Sequence, residues 1–205
     1  MLFWLKNDVG KKYSYASKDL SLAGYTRSIC PNCGREVVSP TYIGNAPHLI
    51  LEGGRKFPDF LQFCGAGNRL TIVSENALNI FERESVSGYD EYLNCQIELA
   101  STFKDVNNVP NYYSLNVSGS VDLDLQAMHL RRKKVCSSCG QFEWSRTRIG
   151  VYIVDEKTWD SSDICFLKSM PGIKLCSSKF VEIVNSNNLA GFSFPPISLP
   201  PTFVK

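Results

Sequence analysis

Histidine is the scarcest of the usual catalytic residue types in this chain. His48 and His129 are the two among 205 residues, and neither neighbours a candidate nucleophile in sequence. Acyl-transfer machinery needs a base within reach of its nucleophile, so that chemistry is poorly supplied. Also missing are a phosphate-cradling glycine loop ending in Lys-Ser/Thr, an HExxH, a GxSxG and a dinucleotide fingerprint. The chain reads as a non-enzyme. No apolar run approaches the roughly 18–20 residues of a membrane-spanning helix. Neither sign of charge dominates, with Lys+Arg 22 against Asp+Glu 20. That balance excludes a globally basic nucleic-acid binder and an all-acidic mimic of nucleic acid. A 43% apolar share with 20% charge excludes a disordered chain, and 14 Gly with 10 Pro exclude collagen-like and low-complexity readings. The opening MLFWLKNDVGKK meets Lys6 and Asp8 too soon for a secretory apolar segment. The expectation is a cytoplasmic protein, whose thiols a reducing pool keeps free of disulfides.

Cysteine, by contrast, is plentiful. Four of the eight fall in two matched motifs, Cys30-Pro31-Asn32-Cys33-Gly34 and Cys136-Ser137-Ser138-Cys139-Gly140. Two intervening residues let both sulfurs of a pair face one point, and the glycine lets the backbone curl beneath them. Two such knuckles supply four thiolates, the tetrahedral set that structural Zn²⁺ prefers, so Cys30, Cys33, Cys136 and Cys139 are the expected ligands. The knuckles stand 136 − 30 = 106 residues apart, a separation that loop-closure entropy tolerates because its cost grows only logarithmically. A thioredoxin-like redox motif needs a helix directly after the second cysteine. Glu36-Val37-Val38-Ser39-Pro40 has strand and turn chemistry instead. Cys64, Cys95, Cys165 and Cys176 have no partner at ligand spacing and read as small core hydrophobes.

The chain also looks internally duplicated. At an offset of 177 − 74 = 103, Ile72 matches Leu175, Ser74 matches Ser177, Leu78 matches Val181 and Ile80 matches Ile183. The same offset carries Phe81 to Val184, Gly88 to Gly191 and Tyr89 to Phe192, with Asp59 and Asp163 preceding the two serines. Ser74 and Ser177 are placed as helix N-caps, before apolar residues Ala77, Leu78, Phe81 and Phe180, Val181, Val184 at helical spacing. Between the halves, Tyr113 to Leu125 alternate apolar and polar with a period of two, which predicts strand with one face on a core. Ser118-Gly119-Ser120 marks either a hairpin turn or a kink there. Ile149, Val151 and Ile153 form a further strand candidate, and the proline-rich tail from Phe194 runs extended. The expected fold is α+β: two diverged pseudo-repeats, about 24–107 and 108–205, each a knuckle, antiparallel strands and one short capped helix. They are joined in a single domain, 1–205, through a shared zinc-ribbon-like four-cysteine site.

Two charged clusters are candidate surfaces. Arg131, Arg132, Lys133, Lys134, Arg146 and Arg148, with Phe142 and Trp144, suit a nucleic-acid-binding ribbon or a solvated strand beside an anionic metal site. Glu82, Glu84, Asp90, Glu91, Glu98 and Asp105, interleaved with Tyr89 and Tyr92, suit a protein interface or a solvated loop.

The paired knuckles, about a hundred residues apart in a chain of this length, resemble the double-CxxCG motif family of bacterial polymorphic-toxin immunity proteins. The segment from Asp163 through Ser177 to Gly191-Phe192-Ser193-Phe194-Pro195-Pro196 is similar to the close of related toxin-immunity families. The resemblance implies a cytosolic, non-enzymatic antidote that binds a cognate toxin protein stoichiometrically, with Cys30, Cys33, Cys136 and Cys139 as the family's cysteine motifs. The contact surface taken from the residues is Glu84, Tyr89, Asp90, Glu91 and Tyr92. The alternative is a zinc-ribbon nucleic-acid binder using Arg131 to Lys134.

Overall fold

The computed structural model describes residues 1–7, 12–19, 24–41, 47–54, 56–61, 70–101, 103, 108–139, 143–145 and 152–197. The strands come first as β1 (Leu2–Trp4), β2 (Lys6–Asn7), β3 (Ser14–Asp19), β4 (Gly24–Ile29), β5 (Glu36–Thr41) and β6 (His48–Gly53). Next are β7 (Phe60–Leu61), β8 (Leu70–Ser74), helix α1 (Glu75–Arg83), β9 (Tyr89–Asn94), β10 (Gln96–Leu99), β11 (Tyr112–Val117) and β12 (Ser120–Leu123). The chain continues through β13 (Arg132–Lys133), β14 (Glu143–Trp144), β15 (Val154–Asp155), β16 (Ile164–Leu167), β17 (Met170–Ser177), helix α2 (Ser178–Ser186) and β18 (Phe192–Ser193). The result is mostly β, with two short helices. No helix among the described residues is long and apolar enough to cross a membrane.

The larger sheets run β1-β17-β16-β12-β15, β7-β8-β11-β9 and β10-β6-β3. The first and third are mixed, because β12 lies parallel to β16 and β10 parallel to β6, while β7-β8-β11-β9 is antiparallel throughout. Parallel neighbours need long crossovers, and here each crossover carries a block of structure: β7 to β9 in one case, β13 to β15 in the other. The alternating run from Tyr113 is no hairpin. It leaves one sheet as β11, bends at Ser118-Gly119 and enters another as β12. Its polar face is not uniformly wet either, since Ser114 is buried and Tyr112 wholly so. β11 is an interior strand with a core on each side: Leu115 and Val117 face one apolar cluster and Tyr112 another.

Both helices begin as their sequences predict. The Ser74 hydroxyl accepts from the Ala77 N–H and the Ser177 hydroxyl from the Phe180 N–H, each at 3.1 Å. Helix α1 buries Ala77, Leu78, Ile80 and Phe81. Helix α2 buries Phe180, Ile183 and Val184, with Ile183 taking the inward place expected of Val181. The helices also end alike. Ser85 and Asn188 take left-handed φ of 50° and 54°. Val86 N–H then reaches Phe81 O at 2.9 Å, and Leu189 N–H reaches Val184 O at 3.1 Å. These are Schellman caps, satisfying carbonyls that the last turn would otherwise leave unpaired.

Two aspartates bind the halves together. Asp59 accepts from Ser74 Oγ at 2.6 Å and from the Ala190 N–H at 2.8 Å. Asp163 accepts from Ser177 Oγ at 2.8 Å and from the Ser87 N–H at 3.0 Å. Each carboxylate thus joins the cap of its own half's helix to the turn that follows the other half's helix. The central core is shared in the same way, drawing Phe60, Val73, Leu78 and Phe81 from one half and Ile164, Cys176, Phe180 and Val184 from the other.

Candidate metal centre and interaction surface

The first knuckle caps the hairpin of β4 and β5. Cys30 N–H donates to Arg35 O and Gly34 N–H donates back to Cys30 O, both at 2.9 Å. Gly34 sits at φ +68°, the left-handed conformation that closes the curl. The residues after Cys33 form strand β5, so the helix required for thioredoxin-like chemistry is not there. The second knuckle caps the shorter hairpin of β13 and β14. Its glycine, Gly140, lies outside the described residues.

The two tips meet face to face. Cys30 Sγ lies 3.8 Å from Cys136 Sγ, Cys33 Sγ lies 3.6 Å from Cys139 Sγ, and all four sulfurs fall within 4.8 Å of one another. A tetrahedron of thiolates around zinc, with bonds near 2.3 Å, has edges of about 3.8 Å. A disulfide would need a separation of about 2.05 Å. The observed spacing therefore fits a four-thiolate metal site, and these four cysteines can hold a metal ion. They are the one cluster of three or more His, Cys, Asp or Glu with ligand spacing among the described residues.

The backbone prepares the sulfurs for that role. N–H groups of Cys139 and then Ser138 point at Cys136 and hold its thiol down to about 6. Those of Asn32 and Cys33 lower Cys30 in the same manner. Side chains bridge the tips as well. Asn32 Nδ2 donates to Ser138 Oγ. Glu143 accepts from Arg35 at 2.8 Å and from Lys134 at 3.0 Å, and the Lys134 hydrogen bond keeps its carboxyl below the usual range.

Other expectations separate cleanly. Cys95, Cys165 and Cys176 are buried in three different apolar clusters. Burial pushes the Cys165 thiol up to about 12, the opposite of an activated nucleophile. Cys64 lies outside the described residues, as do Phe142, Arg146, Arg148, Ile149, Val151, Asp105 and the tail beyond Ile197. His48 pairs with Glu98 at 3.5 Å. Arg131, Arg132, Lys133 and Lys134 are exposed, and Lys134 is committed to Glu143.

The acidic–aromatic cluster occupies β9 and the end of α1. Glu84 is the helix's C-cap and pairs with Arg83 at 3.0 Å. Tyr89 turns inward and packs on the central core. Asp90 and Glu91 face solvent, and Tyr92 is 42% exposed. Folding adds two residues that sequence reasoning did not bring to this surface, Glu75 and Tyr113: Tyr92 Oη donates to Glu82 at 2.9 Å, and Tyr113 Oη to Glu75 at 3.4 Å. The two rings meet edge to face at 5.6 Å. No local periodicity could have found Glu75 or Tyr113, because β11 comes beside β9 by sheet pairing and α1 by packing on that sheet.

A search of the curated proteins found no match. The sequence model of the immunity protein family (Imm11) matches residues 40–198, which includes Cys136 and Cys139, both helices and the acidic–aromatic strand, and begins after the first knuckle. The immunity-protein resemblance read from the knuckles and the closing segment therefore agrees with an independent match over most of the chain, and the protein belongs to the Imm11 immunity protein family.

Proposed function

We propose that this protein protects its host cell by binding a cognate bacterial toxin stoichiometrically in the cytoplasm, without catalysis. The family match over residues 40–198 is the observation that carries this reading. The chemistry of the chain supports it: the clustered sulfurs point to a structural rather than a catalytic centre. Four thiolates fill a tetrahedral ion and leave no open position for substrate or water. We take that ion to be Zn²⁺, held by Cys30, Cys33, Cys136 and Cys139, since all-sulfur tetrahedral donors select zinc over harder divalent ions. On this reading the chain is one domain of two pseudo-repeats, which the matched caps and reciprocal aspartates support. Its toxin-facing surface is that of Glu84, Asp90, Glu91 and Tyr92, with the partly buried Tyr89 supporting it from the core side.

The test is co-purification with the toxin domain encoded beside the gene, combined with growth rescue in cells expressing that toxin. A stable one-to-one complex and restored growth are expected. Growth arrest despite full expression of this chain, with no complex recovered, would reject the antidote reading.

A further inference from the structure

We infer that β9 is an open receiving edge, onto which an extended, basic segment of the toxin adds as a further strand. This rests on the antidote reading and specifies how the partner is held.

β9 is the outer strand of the sheet β7-β8-β11-β9 and pairs with β11 alone among the described residues. The polarity of its free edge follows from the ladder. Cys95 N–H donates to Tyr112 O at 2.7 Å, and the register continues as Asn94 opposite Tyr113, Leu93 opposite Ser114 and Tyr92 opposite Leu115. Bonded and unbonded pairs alternate in an antiparallel ladder, so Leu93 points its backbone groups at β11 while Tyr92 and Asn94 point theirs away. Those outward groups are a template for another strand.

The side chains select which strand. From Glu84 to Phe103 the sequence holds four carboxylates, Glu84, Asp90, Glu91 and Glu98, and no Lys or Arg. Beside the edge stand the two phenol–carboxylate pairs, Tyr92 with Glu82 and Tyr113 with Glu75. The Tyr92 phenol uses one lone-pair site of Glu82; Glu75 accepts from Tyr113 on one oxygen and from Asn111 Nδ2 at 3.2 Å on the other. Both carboxylates are exposed and keep further lone pairs suited to guanidinium or ammonium donors. The exposed face of Tyr92 adds a π surface for the same cations. The nearest cation on the helix, Arg83, is turned to Glu84 and to Asn187 Oδ1. A second copy of this chain would bring its own Asp90 and Glu91 against the first pair, so like-charge repulsion disfavours self-pairing at this edge. The register with β11 shifts between Leu115 and Val117, so the regular edge runs from Tyr92 to Asn94 and Asp90 and Glu91 stand at its irregular end. An added strand completes the ladder over the regular part, and its Arg or Lys residues at alternate positions meet the Glu82 and Glu75 carboxylates on the Tyr92 face.

The experiment uses the full chain with the toxin domain encoded beside the gene. Hydrogen exchange of the complex should show new protection at the Tyr92 and Asn94 amides. Asn94→Pro removes an outward donor without breaking a bond to β11, and should speed dissociation about tenfold or more. Glu82→Lys and the double variant Asp90→Lys/Glu91→Lys should slow association about tenfold at low salt, with the difference shrinking as salt rises. A wild-type complex that rescues growth, yet leaves β9 unprotected and its kinetics unchanged in all three variants, would overturn the edge assignment and leave the antidote reading standing. Failure to form any complex would overturn both.

Discussion

Asp163 shows how much one side chain does here. It is 5% exposed and accepts from the Ser87 N–H, Ser177 Oγ and Lys179 Nζ. Burial alone would raise its carboxyl, but the Ser87, Lys179 and Ser177 hydrogen bonds outweigh that and hold it below the ordinary range. A depressed folded-state value means the stabilisation is present above the unfolded carboxylate's range and is lost as pH falls through the folded one. Asp163→Asn keeps the shape but loses the charge, and turns an amide N–H₂ toward groups that are themselves donors. It should cost about 2–3 kcal/mol near neutral pH. In urea titrations from pH 7 down to pH 3, wild type should lose stability steeply in acid while the variant loses less. Parallel curves would show that the carboxylate's charge is not what the corner uses.

At the scale of elements, glycines tell apart two kinds of constraint. Gly88 and Gly191 carry φ of +100° and +90° immediately before β9 and β18. A Cβ at Gly88 would run into Ile164 O, and one at Gly191 would lie 2.6 Å from Phe60 O and from Pro58 Cβ. Both backbone conformation and space are demanded there, because each turn passes beneath a strand of the opposite half. Gly34 has φ +68° but nothing within 4 Å of its would-be Cβ. Gly34→Ala should cost about 1 kcal/mol, from the left-handed conformation alone. Gly88→Ala and Gly191→Ala should each cost about 3 kcal/mol or more, since an immovable carbonyl adds to the strain. Chemical denaturation of the three variants measures the contrast, and equal losses would contradict it.

For the whole molecule, the metal centre matters through what it closes. On the zinc reading, an ion joins segments 106 residues apart in sequence. A cross-link over a loop near 100 residues stabilises by about 4–5 kcal/mol in the chain-entropy picture. For a chain of this size that corresponds to a Tm change of about 10–15 °C. The protein as isolated should contain one zinc per chain. Cys33→Ser should lose that metal and melt lower by about that amount, as should wild type after chelation. Full metal content with an unchanged Tm in Cys33→Ser would rule out the four-cysteine site.

What was legible in the sequence was local chemistry. Serine before an amphipathic run announces a helix start, and the Ser74 and Ser177 caps form where expected. CxxCG curls by itself, because its shape depends on five consecutive residues, the last of them glycine. Buried Cys165 and Cys176 were readable from apolar neighbours alone. Tertiary structure decided whatever rests on partners distant in the chain: that the two knuckles face each other, that two of the sheets are mixed, and that Ser114 is covered on the polar side of an alternating strand. It also decided that Asp59 and Asp163 each serve the opposite half, and that Glu75 and Tyr113 join Glu82 and Tyr92 beside the outer strand β9. A cap or a knuckle is set by hydrogen bonds within a few residues of itself, and composition reveals those. A sheet edge is defined by which strand fails to arrive beside it, and that depends on how every other strand has been paired.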